Sequence, residues 1–364
     1  MNIPTYTNTN LVINYLIKIE KAIQTINRTP IPYIHKEELL NEMYAEDIIA
    51  IAELINEELG YDEAKRVQEG KVLSSARSKL LPYINYRNGM DFVRSYTPQS
   101  FMQPSVDLLL HINKIQMNKL VEEWEAGKLR DFSDQPNELY DSWYALRDFY
   151  PNLDFANHFN EIINWIYARG NNFHKLIQIA ILLYELIDKA PLLSGNQLSS
   201  TLLLSTLTKD LKYNPDSMLS IAKALNFIGE DLKSAFKISR SNRDLTVFIE
   251  AFLYTMSNEY LSLEQRYLNV YERKVKLHGK LSEKLNNRQK KLLDYMENNE
   301  KVTRSEVRKL MGVSFMTAYR DLQQLVEEGY IEIKGVGRGT YYKLLKKDSA
   351  DHSKPELQVF GSHS

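Results

Sequence analysis

Apolar residues recur at three- and four-residue steps along most of the chain, the spacing that lines one face of a helix. An amphipathic run from Leu11 to Ile26 comes first, and Pro30 and Pro32 break it. A helix is predicted from His35 to Leu59, with Leu39, Leu40, Met43, Ile48, Ile51 and Leu54 on its apolar side and Gly60 at its end. Further helices are predicted over residues 63–80, 104–126, 154–169, 172–189, 195–210, 216–225, 231–236 and 244–278, with Gly279 stopping the last. No strand-like alternation precedes residue 330, and no internal repeat is found. The expected fold class is therefore mainly α, a helical body followed by a small module of three helices and a β-hairpin. The segment from Arg130 to Asp154 is rich in Asp, Tyr and Pro. It reads either as a functional or mobile loop or as a plain solvated excursion.

The C-terminal module spans 286–345. Leu292 and Met296 give its first helix an apolar face. Thr303 and Glu306 have the spacing of a capping box, and Val307 and Leu310 are expected to face the core of the second helix. Met311-Gly312-Val313 forms a tight turn, and Ser314 caps the third helix. Ala318, Leu322 and Leu325 point that helix at the core, which leaves Thr317, Arg320 and Gln324 as an outer stripe suited to base edges. Two alternating segments follow, 330–334 and 340–344, joined by Gly335-Val336-Gly337-Arg338-Gly339. The glycine string joins two strands and opens no helix, so it is not a dinucleotide loop. Lys334 and Arg338 stand where a wing touches phosphate. Residues 317–322, with Leu325, Glu328-Gly329-Tyr330, Gly337-Arg338-Gly339 and Tyr342, resemble the winged helix-turn-helix at the C-terminus of many bacterial regulators. That resemblance implies duplex DNA as the partner of Ser314, Thr317, Arg320, Gln324, Lys334 and Arg338. A winged helix used for dimerisation or protein contact is the alternative.

Charge sharpens this division. The whole chain of 364 residues is nearly neutral at −1, yet residues 281–347 carry 14 Lys/Arg against 9 Asp/Glu, a net of +5. The first 280 residues carry −4, and 348–364 carry −2 and read as a disordered tail. The expected organisation is an N-terminal helical region over 1–100, a core over 101–280, the winged helix over 281–347 and the tail. With no Cys there is no disulfide or thiolate chemistry. The most apolar stretch, Leu176 to Ile187, is too short for a bilayer, and no signal peptide is read. A cytoplasmic protein without membrane contact is expected. The seven His include no i, i+4 pair, so no metal site is predicted.

The body carries a second pattern. An apolar helix over 177–187 leads into Ala190-Pro191-Leu192-Leu193-Ser194-Gly195-Asn196-Gln197-Leu198 and then Ser199-Ser200-Thr201-Leu202. Upstream stand Glu125-Ala126-Gly127-Lys128-Leu129-Arg130 and Phe159-Asn160-Glu161-Ile162-Ile163-Asn164-Trp165. In order and spacing these segments resemble the Fic domain over roughly residues 30 to 345. Active members of that family transfer AMP or another nucleotide moiety to a protein hydroxyl. Their motif reads His-Pro-Phe-x-Asp/Glu-Gly-Asn-Gly-Arg on a loop between two helices.

The departures decide the implied chemistry. Ala190 stands at the position of the general base, whose loss costs about 10²–10⁴-fold in rate. Ser194 replaces the acidic metal ligand, Gln197 a glycine, and Leu198 and Thr201 the arginines. The expectation is a pseudoenzyme with no catalytic residue, metal or cofactor. Pro191, Gly195 and Asn196 survive. Gly195, Asn196 and Ser199 at a helix start could retain a nucleotide or phosphate, or the turn could simply join two buried helices. The family's inhibitory Ser-x-x-x-Glu-Gly helix has its counterpart at 74–79, where no Glu stands. The leading reading is a DNA-binding regulator, as a homodimer on a palindromic site, with the body open to a protein partner. A nucleotidyltransferase with a non-standard motif and a protein-binding adaptor are the alternatives.

Overall fold

The computed structural model describes residues 5–31, 33–73, 76–98, 103–131, 154–170, 172–226, 229–281, 285–297, 299, 301–328, 330–335 and 337–345. The tail over 348–364, most of the 130–154 segment, Ser74, Ser75, Gly329, Val336 and the side chain of Arg338 lie outside the described residues. Packing divides the chain into two compact units, with a boundary between Arg273 and Lys274.

The body is helical throughout. Its elements are α1 (Asn10–Arg28), α2 (Tyr33–Leu54), α3 (Tyr61–Gln68), α4 (Leu81–Ser95), α5 (Val106–Gln116), α6 (Phe155–Tyr167), α7 (Lys175–Lys189), α8 (Asn196–Asp210), α9 (Ile221–Asn226), α10 (Gly229–Asn242) and α11 (Thr246–Leu281). The boundaries correct several expectations. Gly60 does not end α2; it is the N-cap of α3, with φ −72°. The helix expected over 63–80 stops at Gln68, because Gly70 turns left-handed and the Lys71 amide bonds back to the Arg66 carbonyl. Pro82 then stands in the first turn of α4, a helix the periodicity misses. The helix expected over 104–126 ends at Gln116, and α11 runs through Gly279.

Helix α8 is the centre of the body and packs against α4, α5, α7 and α9. It is buried on all sides, which explains its lack of an apolar face. Its leucines fill the core, and four of its hydroxyls are satisfied locally. Thr201, Ser205, Thr206 and Thr208 each donate to the carbonyl four residues back, at 2.7–2.9 Å. Gly89 lets α4 approach closely, since a Cβ there would stand 2.5 Å from Leu202 Cδ1. Lys209 closes the end of α4 by donating to the carbonyls of Val93, Arg94 and Tyr96. No helix among the described residues is long and apolar enough to cross a membrane.

The smaller unit contains α12 (Asn287–Glu297), α13 (Arg304–Met311), α14 (Phe315–Glu327), β1 (Ile331–Lys334) and β2 (Tyr341–Leu344). The strands pair antiparallel, Ile331 opposite Leu344 and Lys334 opposite Tyr341. Val302 bridges Tyr342 and so extends the ladder ahead of α13. Leu292, Met296, Val302, Val307, Ala318, Leu322, Leu325, Ile331 and Tyr342 form its core. The capping box at Thr303 and Glu306 and the Ser314 cap are both present. Leu310 departs from expectation: it is 46% exposed and does not join the core. Arg288 instead ties α12 to α14, donating to the buried Asp321 carboxylate at 3.0 Å.

Candidate functional site

The loop between α7 and α8 holds the motif residues 190–198. Ala190 ends α7 in the left-handed region at φ 40°, and Gly195 opens α8 there at φ 68°. Two such turns five residues apart fold the loop back on itself. Strand-like pairing with the 128–130 segment then covers it. The Arg130 amide donates to the Pro191 carbonyl at 2.8 Å, and the Leu193 amide to the Lys128 carbonyl at 3.1 Å. The Arg130 guanidinium is buried and donates to the carbonyls of Lys189 and Ala190, at 3.0 and 3.2 Å. A cation thus caps the C-terminus of α7.

Each candidate residue in the loop bonds to protein. Asn196 is bidentate on Leu192, accepting from its amide at 2.9 Å and donating to its carbonyl at 2.8 Å. Ser199 Oγ accepts from Asn113 Nδ2 at 2.9 Å, and the same amide donates to the Ser194 carbonyl. The Ser194 hydroxyl donates to Glu125 Oε2 at 3.1 Å. Ala190, Pro191, Ser194, Gly195, Asn196, Gln197, Leu198, Ser199 and Ser200 are all buried. Sequence reasoning missed Asn113, which fastens three segments: the loop, α8 and, through the Gly127 amide, the 125–130 turn. A buried polar residue mid-helix among leucines is the signal that could have found it.

A partly buried charge cluster lies elsewhere in the body. Glu46 accepts from Arg266 at 2.7 Å and pairs with Lys223. Asp47 accepts from Tyr86 at 2.6 Å and from the Ser220 hydroxyl. Beside them, burial pushes the Glu259 carboxyl up to about 7, against the opposing pull of Lys223 and Arg266. Among the described residues no group of three or more His, Asp or Glu is placed to hold a metal ion.

On the winged unit, α14 brings Ser314, Thr317, Arg320 and Gln324 onto one helix. They are not equally available. The Ser314 hydroxyl accepts from the Thr317 amide and lies 2.9 Å from the Thr317 hydroxyl, so both serve the cap. Gln324 accepts from Gln289 Nε2 at 2.7 Å. Lys334 pairs with Glu332 at 3.0 Å on its own strand. Arg320 is exposed and has no polar partner among the described residues. With Ala318, Leu322 and Leu325 buried, the exposed outward line of the helix runs through Met316, Arg320, Gln324 and Glu327. Thr317 and Gln323 are half-buried on its flanks. Sequence reasoning missed Met316 and its neighbour Phe315, which are 58% and 49% exposed. Arg304 lies 4.7 Å over the Tyr319 ring and donates to the Tyr342 hydroxyl at 2.9 Å, fixing a cation beside α14.

The model of the DeoR-like helix-turn-helix domain matches residues 288–340. No curated protein matches the chain. Among solved structures, a Fic family protein from Desulfovibrio desulfuricans G20 is similar over 96% of this chain and 100% of its own, with 16% identity and a TM-score of 0.55. Fic-1 from C. elegans is similar over 71% of this chain and 72% of its own, with 15% identity and a TM-score of 0.52. The chain therefore has the Fic fold over most of its length and a DeoR-like helix-turn-helix at its C-terminal end.

Proposed function

We propose that this chain is a DNA-binding regulatory protein whose Fic-like body no longer transfers nucleotides. The observation that carries the first half is Arg320, held exposed and unpartnered on the outward line of α14 in a DeoR-like module. A guanidinium there can bond guanine O6 and N7 together. Arg308 and Lys309 are exposed on α13 and supply phosphate contacts. The net charge of +5 over 281–347 supplies the attraction to the duplex.

The second half rests on the loop. The Ala190 methyl cannot take a proton, and the polar groups of Asn196, Ser194 and Ser199 are bonded to protein. The reading assigns the body a regulatory and dimer-forming role, so that two modules address the halves of a palindrome.

The test is binding of the full chain to genomic fragments across a salt series. Affinity falls steeply with salt, and Arg320→Ala with Arg338→Ala lowers affinity and flattens the salt slope, by about 0.9 for each phosphate contact removed. Unchanged affinity in that double variant refutes the docking. In parallel, incubation with labelled ATP, GTP, UTP and CTP in lysate leaves no label on protein. Label transfer refutes the loss of activity.

A further inference from the structure

The outward end of α14 is apolar. Phe315 and Met316 occupy its first two positions at 49% and 58% exposure, and Leu310 at the end of α13 is 46% exposed. The surroundings are cationic rather than apolar. Arg308 and Lys309 are exposed on α13, Arg320 stands one turn beyond Met316, and Arg304 rides on the Tyr319 ring. An apolar tip rimmed by arginine and lysine does not match a basic or uncharged surface. It matches a surface that is anionic at its edges and carries apolar points between them.

The major groove is such a surface. Its walls are phosphate, and the thymine C5-methyl is its apolar contact point. The N-terminal residues of a recognition helix are those that reach base edges. We infer that Met316 and Phe315 read thymine methyl groups, so that the bound duplex carries thymine under the start of α14. This rests on the DNA-binding reading above and makes it more specific. Met316 and Arg320 are four residues apart, a rise of about 6 Å along the helix. That distance spans about two base steps. The site therefore pairs a thymine with a guanine about two steps away, the methyl taken by Met316 and the guanine edge by Arg320.

The experiment uses the full chain and a pool of random duplexes selected through rounds of binding. The enriched duplex is then synthesised twice, once with thymidine and once with deoxyuridine, which lacks only the methyl. The wild type binds the uracil form more weakly, by about fourfold for each methyl contacted. In Phe315→Ala with Met316→Ala this discrimination collapses towards unity. In Met316→Leu, which keeps an apolar contact, it persists. Both side chains are exposed, so the variants fold, and circular dichroism checks this. Equal uracil penalties in wild type and the double variant overturn the inference while leaving DNA binding intact. So does an enriched site without thymine. If the double variant instead lowers the mass of the particle in sedimentation, the apolar tip joins two copies and the inference fails. If no duplex binds at any salt, the DNA-binding reading fails and this inference with it.

Discussion

A single methyl group added at Gly195 tests whether the loop between α7 and α8 is as closed as its hydrogen bonds imply. Two costs combine in Gly195→Ala. The backbone stands at φ 68°, where a Cβ costs about 1 kcal/mol. The new Cβ would also lie 2.5 Å from Met117 Cε and 2.6 Å from its sulfur. Met117 is fully buried, so it can yield only by disturbing the core. Overpacking of this kind costs about 1–3 kcal/mol, for a total near 2–4 kcal/mol. The assay is urea unfolding followed by tryptophan fluorescence. Trp124, Trp143 and Trp165 all precede residue 273, so the signal reports the body alone. A thermodynamic cycle with Met117→Ala separates the two costs. That variant alone loses about 2–5 kcal/mol through its cavity, but it removes the clash. In its background Gly195→Ala should cost only the backbone contribution, about 1 kcal/mol. An equal cost in both backgrounds refutes the packing argument, and a loss below that backbone contribution in the wild type refutes both parts.

Three further outcomes are expected. The Glu259 carboxyl has an ordinary value of 4.5 and stands near 7 when folded, so the folded state disfavours its charge. Stability of the body should therefore fall as pH rises from 4.5 to about 7, by up to roughly 3 kcal/mol; Glu259→Gln should remove this fall in urea titrations, and an unchanged pH profile would count against the burial argument. Thr303→Ala should cost about 1 kcal/mol, read as faster amide exchange over 304–311, because it removes the hydroxyl that accepts from the Glu306 amide while leaving the reciprocal bond from the residue-303 amide to the Glu306 carboxylate. Ala190→His should restore no nucleotidyl transfer from labelled ATP, since Ser194, Leu198 and Thr201 still supply neither metal ligand nor cation; transfer by this single variant would show that the base alone was missing.

Periodicity and capping signals made most helices legible, and they made the winged unit legible nearly residue by residue. The Thr303–Glu306 box, the Gly312 turn and the Ser314 cap are local, so sequence states them directly. The failures have non-local causes. Helix α4 was hidden because its run follows an irregular stretch that periodicity reads straight through, and only Pro82 marks its start. Of the expected outer stripe of α14, Arg320 and Gln324 are exposed and Thr317 is half-buried, while the exposed Met316 was not anticipated. Sequence reasoning favoured polar side chains for a surface, whereas the exposed residues include two large apolar ones. The engagement of Gln324 by Gln289 depends on a partner 35 residues away, and no local rule supplies it. In the body, Asn113 and Arg130 act on a loop that is distant in sequence, so their roles appear only once the loop is folded.

The hydrogen bonds of the motif loop weigh against a bound phosphate on energetic grounds. The N-terminus of α8 offers an anion an attraction of at most about 1–2 kcal/mol. To reach it, an anion must displace groups already bonded to protein. Freeing Asn196 leaves both polar groups of Leu192 unpaired in a buried turn. Freeing Ser199 removes one of the bonds that Asn113 donates, and freeing Ser194 leaves Glu125 without its hydroxyl partner, where its charge would repel a phosphate. Each buried group left without a partner costs about 1–3 kcal/mol, so opening the turn outweighs what the helix end returns. A guanidinium on α8 would reverse this balance by adding charge-assisted bonds to the anion. On the proposed reading of the loop, Leu198 and Thr201 stand where such a group would be, and both are fully buried. On that reading the lack of a cation and the internal pairing of the loop belong together: without a cation to hold the anion, the stable arrangement is the one in which the turn bonds to itself.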